Sequence, residues 1–233
     1  DVVIGNPPYI QLKEVSGYQP RGYVCTDCGN LYPVVLERCL SICAKGGRQG
    51  YIVPVSSIST DGYSSLQDRY RSKRVHVSCY DDRPSRLFDG LEHIRLVVFL
   101  LSDNQPAWFS TRYHKWNNQE RETLFDRLAY VPAKEGIVKN SIPKLTAPVE
   151  LSILSKLAAI SMTVGGRSVR TGPHSINFSR KVGYFLQVLN FQPRVVDGNG
   201  NLRPPSEFKP LTFSSSAQKQ SALALLNSNL FYW

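Results

Sequence analysis

Residues 1–5, Asp-Val-Val-Ile-Gly, form an apolar run that stops at a Gly-Asn-Pro-Pro turn. Such a run, closed by turn residues, predicts a strand buried in a parallel sheet. Residues 31–44 carry Leu36, Cys39, Leu40 and Cys43 at helical spacing and end in Lys45-Gly46-Gly47. A cation followed by glycine is a helix stop, so a helix is predicted there. Residues 50–55 read as a second buried strand, and residues 63–73 as a polar helix with Leu66 and Tyr70 turned inward. Residues 75–80 alternate as a third strand, and residues 94–101 are a fourth, almost wholly apolar. This rhythm predicts an α/β layered sheet.

The pattern changes after about residue 105. Residues 108–113 predict a further strand, and residues 118–128 an amphipathic helix carrying Leu124, Phe125 and Leu128. The stretch 132–148, rich in Pro and Lys, reads as a boundary, which divides the chain into an α/β domain at 1–140 and a mixed α+β segment at 141–233. Within the latter, residues 149–159 predict a short helix with Leu151, Leu154 and Leu157 on one face. Residues 183–191 look strand-like, and residues 214–233 predict a closing helix with Leu223, Leu226 and Leu230 on one face. The run Asp197-Gly198-Asn199-Gly200-Asn201 resembles a calcium loop, but Leu202 stands where that loop needs glycine, so a hairpin turn is expected. The chain opens on a strand and closes on Leu-Phe-Tyr-Trp, which reads as an excised fragment.

Charge sharpens the division. Residues 1–140 hold 18 basic and 15 acidic side chains, a net of +3, whereas residues 141–233 hold 10 and 3, a net of +7. A segment nearly free of carboxylates suits a polyanionic partner, because each neutralised phosphate releases counterions. A phosphate-bearing partner such as double-stranded DNA is expected, with Arg167, Arg170, Arg180, Lys181 and Arg194 as candidate contacts. The apolar runs are too short for a membrane span and no signal peptide is visible, which points to a cytoplasmic protein without a membrane partner. Five cysteines, an odd number, agree with a reducing compartment. Cys25, Cys28, Cys39 and Cys43 superficially resemble a zinc site, but the helical spacing of the last two reads better as core, so no metal is expected.

The sharpest chemistry lies at Asn6-Pro7-Pro8-Tyr9. An exocyclic aromatic amine is a poor nucleophile, because its lone pair is delocalised into the ring. An enzyme that methylates it should grip the NH₂ with hydrogen-bond acceptors and aim the lone pair at the methyl donor. Asn6 offers a side-chain carbonyl; Pro7, having no N–H, offers only a main-chain carbonyl, whose direction the two prolines fix. Tyr9 offers an aromatic face for a base taken out of the duplex. The turn follows a buried strand, at the edge where open α/β sheets bind ligands.

The run Asp-Val-Val-Ile-Gly-Asn-Pro-Pro-Tyr resembles the catalytic signature of adenine-N6 DNA methyltransferases, in particular the Eco57I-like and type IIG restriction-modification kind. Gly29-Asn30-Leu31-Tyr32, then Val35-Leu36-Glu37-Arg38, is similar to the family's "Gly-Asp-Leu-Tyr" helix, with Asn30 in place of Asp. Gly46-Gly47 and residues 50–54 resemble its next strand, and Leu87-Phe88-Asp89-Gly90 the segment whose aromatic borders the flipped base, making Phe88 a base-pocket candidate. The likeness spans roughly residues 1–130. It implies the C-terminal half of a Rossmann-like methyltransferase sheet, in which residues 1–101 supply the fourth to seventh strands, followed by the start of a target-recognition domain. It implies S-adenosyl-L-methionine as cofactor, with the main donor-binding motif upstream and absent here, and hence a chain inactive alone. It also implies an exposed fourth-strand edge, from which self-association is expected.

Two other readings share these residues. A protein-glutamine or RNA-amine methyltransferase faces the same NH₂ problem, but the basic extension past residue 101 favours a duplex-binding enzyme. A DNA-recognition module with a dead catalytic remnant is the other; the intact Asn6–Tyr9 string argues against decay.

Overall fold

The computed structural model describes residues 1–133, 140–180 and 186–232. They divide into two compact units, Asp1–Ala159 and Ile160–Trp233, so residues 141–159 lie within the first.

The first unit is a mixed α/β layer. Strand β1 (Val2–Gly5) leads through two short 3₁₀ turns to helix α1 (Leu31–Ile42), then β2 (Arg48–Pro54), α2 (Ser64–Arg69), β3 (Arg74–Tyr80), β4 (Leu96–Ser102), β5 (Ala107–His114), the two-residue β6 (Val131–Pro132) and α3 (Pro148–Ala158). The six strands order as β1-β2-β4-β3-β5-β6. Strands β1 and β2 are parallel, as are β3 and β5, while β4 runs antiparallel between β2 and β3. In register, Val53 faces Val97 and Cys79, and Tyr51 faces Phe99 and Val77. That row meets Tyr32 and Leu36 of α1 and Leu66 of α2 in the main core.

The opposite face is covered unevenly. Near the carboxyl ends of the parallel strands, Tyr80 packs with Trp116 and Leu124, while Leu87, Val98 and Leu128 flank them. At the other end Val2, Ile4 and Leu100 stay 64%, 81% and 46% exposed. Strand β1 has a single partner, β2, among the described residues, and forms one edge of the sheet, so the strand expected to be buried is parallel but exposed.

Several expected elements change form. The helix expected over 118–128 is a 3₁₀ segment, Asn118–Thr123, followed by turns. Its start obeys the expected chemistry, since Glu120 accepts from the Asn117 N–H at 2.8 Å. Beyond that, the Arg121 guanidinium reaches the carbonyl oxygens of Arg86 and Leu87 and lies over the Trp116 ring, so tertiary contacts override the local periodicity. Phe125, expected to turn inward, is largely exposed. The helix expected over 63–73 is shortened to α2, whose last turn tightens through bonds from Tyr70 N–H to Gln67 and from Lys73 N–H to Tyr70.

The glycine pair at 46–47 has two separate jobs. Gly46 takes φ +79°, which favours glycine. A side chain on Gly47 would come within 2.5 Å of Cys43 Sγ, 2.8 Å of the Ala44 oxygen and 3.2 Å of the Asp1 oxygen. The Arg48 N–H donates to that same Asp1 oxygen at 3.0 Å, where the β1–β2 ladder begins.

The second unit is α+β. Strands β7 (Ser168–Val169), β8 (His174–Ser179), β9 (Val188–Leu189) and, later, β12 (Phe208–Phe213) form a sheet of order β7-β12-β8-β9. The pair β10 (Val195–Val196) and β11 (Leu202–Arg203) is a hairpin, as expected at 197–201, where Asp197 Oδ1 accepts from the Asn199 and Asn201 N–H groups at 2.9 Å each. Helix α4 (Ser216–Leu226) is capped by Ser215 and lays Ala222 against Ile176, Val188 and Phe213. A short helix α5 (Asn229–Tyr232) follows, so the expected 214–233 helix is broken at 227–228. Part of the strand-like stretch at 183–191, and Trp233, fall outside the described residues.

Candidate functional site

The carboxyl ends of the parallel strands share one edge of the sheet. There Gly5 pairs with Tyr51, Pro54 with Leu96, Leu96 with Tyr80, and Tyr80 with His114. The Asn6–Tyr9 turn leaves β1 at this edge, and the loop 81–95, which carries Phe88, leaves β3 there as well.

The turn is fastened from both sides. Pro7 is buried, while Asn6 and Pro8 are exposed. After Tyr9 the chain bridges to the start of α1: Leu31 N–H donates to Ile10 at 2.9 Å, and Leu12 N–H donates to Gly29 at 3.0 Å. Asn30, which replaces the Asp of the sequence resemblance, caps α1 and accepts from the Tyr32 N–H at 3.5 Å. The Tyr9 hydroxyl lies within donating distance of two acceptors, the Ile52 main-chain oxygen at 2.8 Å and Asn6 Oδ1 at 2.7 Å. Its ring meets Tyr32 edge-on with centroids 6.0 Å apart, and Tyr32 stacks on Tyr63 at 5.5 Å. Burial pushes the Tyr9 hydroxyl up to about 12, so it keeps its proton at neutral pH. Nothing here is poised as a strong general base; the turn offers acceptors and an aromatic ring.

Behind the turn, Glu37 of α1 organises residues 24–28. Its carboxylate accepts from Cys25 N–H at 2.8 Å and Val24 N–H at 3.3 Å, and pairs with Arg69 at 2.7 Å. Burial alone would raise its pKa, but these donors outweigh it and hold the group below the ordinary carboxylate range. Cys25 is fully buried, and Cys28 and Cys39 pack against the same core.

Phe88 is half-buried and lines a small cleft with Tyr80, Asp81, Leu87, Leu91 and Ile94. The same edge carries groups that sequence reasoning missed. Arg95 Nε lies 3.1 Å from Asp81 and 3.5 Å from Asp82, and its guanidinium sits 5.9 Å from the Tyr113 ring centroid. Lys144 donates to Ser59 Oγ at 2.8 Å, and desolvation lowers its pKa. Both sets join residues far apart in sequence, so no local spacing signals them.

The basic candidates of the second unit are not gathered at one spot. Arg167 and Arg170 flank β7 beside Thr212 and Phe213, whereas Arg180 follows the other end of β8, where Ser179 pairs with Phe208. Arg194 precedes β10 and lines an open cleft of about 580 Å³ with Phe191, Phe208 and Tyr232. These four arginines are exposed; Lys181 lies outside the described residues.

Residues 1–81 match the family model described as Eco57I restriction-modification methylase. Over 57 residues the chain is 39% identical to the type II methyltransferase M.XhoI of Xanthomonas vasicola; the match covers 22% of this chain and 10% of that protein. Among solved structures, it is similar to the DrdV–DNA complex, at 16% identity and TM-score 0.43, over 57% of this chain and 17% of that one. It is also similar to a nuclease-deletion mutant of the type ISP restriction-modification enzyme LlaGI in complex with a DNA substrate mimic. That likeness has 13% identity and TM-score 0.43, over 60% of this chain and 17% of that one. The chain thus spans about a tenth of the curated relative it matches. The resemblance read from the Asn-Pro-Pro-Tyr string stands on the family match over residues 1–81. No helix among the described residues is long and apolar enough to cross a membrane.

Proposed function

We propose that this chain carries the base-holding side of a DNA adenine-N6 methyltransferase of the restriction-modification kind. The observation that carries the reading is the Asn6-Pro7-Pro8-Tyr9 turn: it leaves a parallel strand at the ligand-binding edge with Asn6 exposed and Tyr9 tied to the neighbouring strand. The family match over residues 1–81 supports it.

In this reading the Asn6 side-chain carbonyl and the Pro7 main-chain carbonyl accept the two N–H bonds of an extruded adenine, directing the nitrogen lone pair outward. The Tyr9 ring stacks on the base, worth about 1–3 kcal/mol, and Phe88 closes its pocket from the loop 81–95. Bound S-adenosyl-L-methionine supplies an electrophilic methyl group, so orientation matters more than proton removal. None of the described residues is assigned to that donor. Since residues 1–233 contribute only the base-holding side, the isolated chain is proposed to be inactive. Residues 141–233, at +7, hold duplex DNA through phosphate contacts that position it, with Arg167, Arg170, Arg180, Lys181 and Arg194 as candidates. Among the described residues the outer edge of β1 has no partner strand, and with Val2 and Ile4 exposed it makes the isolated chain self-associate; a monomer in sedimentation at every concentration would count against that.

The test uses the enzyme that contains this chain. Asn6→Ala should lower methyl transfer to adenine-containing duplex by a hundredfold or so while duplex affinity holds. Parallel losses of rate and affinity would overturn the assigned role, and preferential methylation of a glutamine peptide would overturn the substrate.

A further inference from the structure

We infer that the open cleft of the second unit takes one unstacked nucleotide of a DNA strand, with Phe191 as the stacking face and Arg194 as the contact to its phosphate. The cleft, of about 580 Å³, is lined by residues of Ile160–Trp233 alone. Its wall presents three aromatic rings, Phe191, Phe208 and Tyr232, and a single charge, Arg194. Among the described residues no carboxylate lines it. Rings beside a cation, with no acid to repel a phosphate, suit a flat heterocycle that carries an anion. A nucleotide is that combination.

The wall is held in place before any ligand arrives. Val188 and Leu189 of β9 pair with Phe178 and Asn177 of β8. Side chains then fasten the carbonyls around them. Asn227 Nδ2 donates to Val188 at 3.3 Å, Lys219 Nζ to Asn190 at 3.1 Å, Asn177 Nδ2 to Phe191 at 2.9 Å, and the Tyr232 hydroxyl to Leu186. Although its backbone is tied in this way, Phe191 leaves its ring 60% exposed, and Tyr232 is 42% exposed. An anchored backbone with an unburied ring lowers the ordering cost that a stacking contact must overcome. Arg203 is taken by Glu207, whereas the exposed Arg194 enters no ion pair with a described residue. Its guanidinium is therefore open to an anion from outside the chain. A strand is the occupant because the cleft is open and its unit is basic: residues 160–233 hold 8 basic and 2 acidic side chains, a net of +6. A base reaches such rings only when it has left the stack. This site rests on the DNA contact proposed above for the second unit and adds to it a preference for DNA with an unpaired base.

The test compares two fluorescein-labelled hairpin duplexes binding to the 233-residue chain, one fully paired and one with a single bulged adenine. Fluorescence anisotropy should show the bulged duplex bound about 5- to 100-fold more tightly. Phe191→Ala should remove that preference and leave paired-duplex affinity unchanged, while Phe191→Trp should keep it. Arg194→Gln should weaken binding of the bulged duplex and reduce its slope of log affinity against log salt by about 0.9, the share of one phosphate. Both side chains are exposed, and circular dichroism checks that each variant stays folded. Equal affinity for the two duplexes, no binding of either, or a preference that survives Phe191→Ala overturns the inference. Displacement of the bulged duplex by deoxyadenosine monophosphate at matching concentration also overturns it, since the cleft would then be a mononucleotide site. If Phe191→Ala abolishes self-association in sedimentation and leaves DNA binding intact, the ring face is a contact between copies and the inference falls. The proposed methyl transfer fails separately. A bulge preference in a parent enzyme that methylates no adenine would uphold the cleft and sink the reading of Asn6. Methylation with no bulge preference would do the reverse.

Discussion

Gly47 and Asp1 approach so closely that a methyl group on the glycine would sit 3.2 Å from the Asp1 carbonyl oxygen, with Cys43 Sγ at 2.5 Å and the Ala44 oxygen at 2.8 Å. Two of these three neighbours are backbone and cannot rotate aside. Gly47→Ala is therefore expected to cost about 1–3 kcal/mol of stability, the usual range for overpacking. Adding Cys43→Ala should recover only part of it, because the Ala44 contact remains. Urea denaturation of both variants measures this, and full recovery in the double variant would show the backbone contacts to be harmless.

Glu37 serves two main-chain N–H groups and one guanidinium. Glu37→Ala leaves the Cys25 N–H beside a fully buried side chain without its acceptor, at a cost of about 1–3 kcal/mol in equilibrium unfolding. Its pKa is depressed in the folded chain, so its stabilisation is complete above the unfolded carboxylate value near 4.5 and fades as pH falls through the folded one. Glu37→Gln should accordingly flatten the stability profile on the acid side. An unchanged acid slope would contradict the assignment.

The pair Asp81–Arg95 acts in the same sense at the sheet edge that carries the Asn6–Tyr9 turn. Burial raises the Asp81 pKa, but the Asp82 and Arg95 contacts outweigh it and the group titrates below the usual aspartate range. Its contribution is present above the unfolded value and lost as pH falls through the folded one. Arg95→Met should push the Asp81 pKa upward, visible in the carboxyl ¹³C titration of that residue. No movement would mean that Arg95 does not hold the carboxylate.

At the alkaline end, Tyr9, Tyr80 and Tyr113 are each raised by burial to about 12 from the ordinary value of 10. Between those values the unfolded chain releases protons that the folded chain keeps, so stability is intact below pH 10 and declines as pH approaches 12. Tyrosinate absorbance from these residues should rise together with unfolding monitored by circular dichroism. Early ionisation of all twelve tyrosines in a folded chain would contradict their burial.

The first unit was legible where local rules suffice. Apolar runs ending in Gly or Pro marked β1 and β2, and Lys45-Gly46-Gly47 marked the region where α1 stops. Strand order was not legible, because β4 enters between β2 and β3 through pairings of residues dozens of positions apart. The segment 118–128 had amphipathic spacing, yet Arg121 follows the carbonyls of Arg86 and Leu87 instead. At the site, the Asn-Pro-Pro-Tyr string was legible as a turn that follows β1. The bond from Tyr9 to Ile52, 43 residues away, had no local signature. Nor did the meeting of Arg95 with Asp81.

Strand β1 is only four residues long, about 13 Å from end to end, with Gly47 pressed against one end and Asn6 emerging from the other. It joins the two turns as a short strut. A displacement at its foot, where the Asp1 carbonyl meets the Gly46–Gly47 turn, has only four residues over which to be absorbed before it reaches Asn6. The glycine that ends a helix therefore also bears on where the Asn6–Tyr9 turn stands.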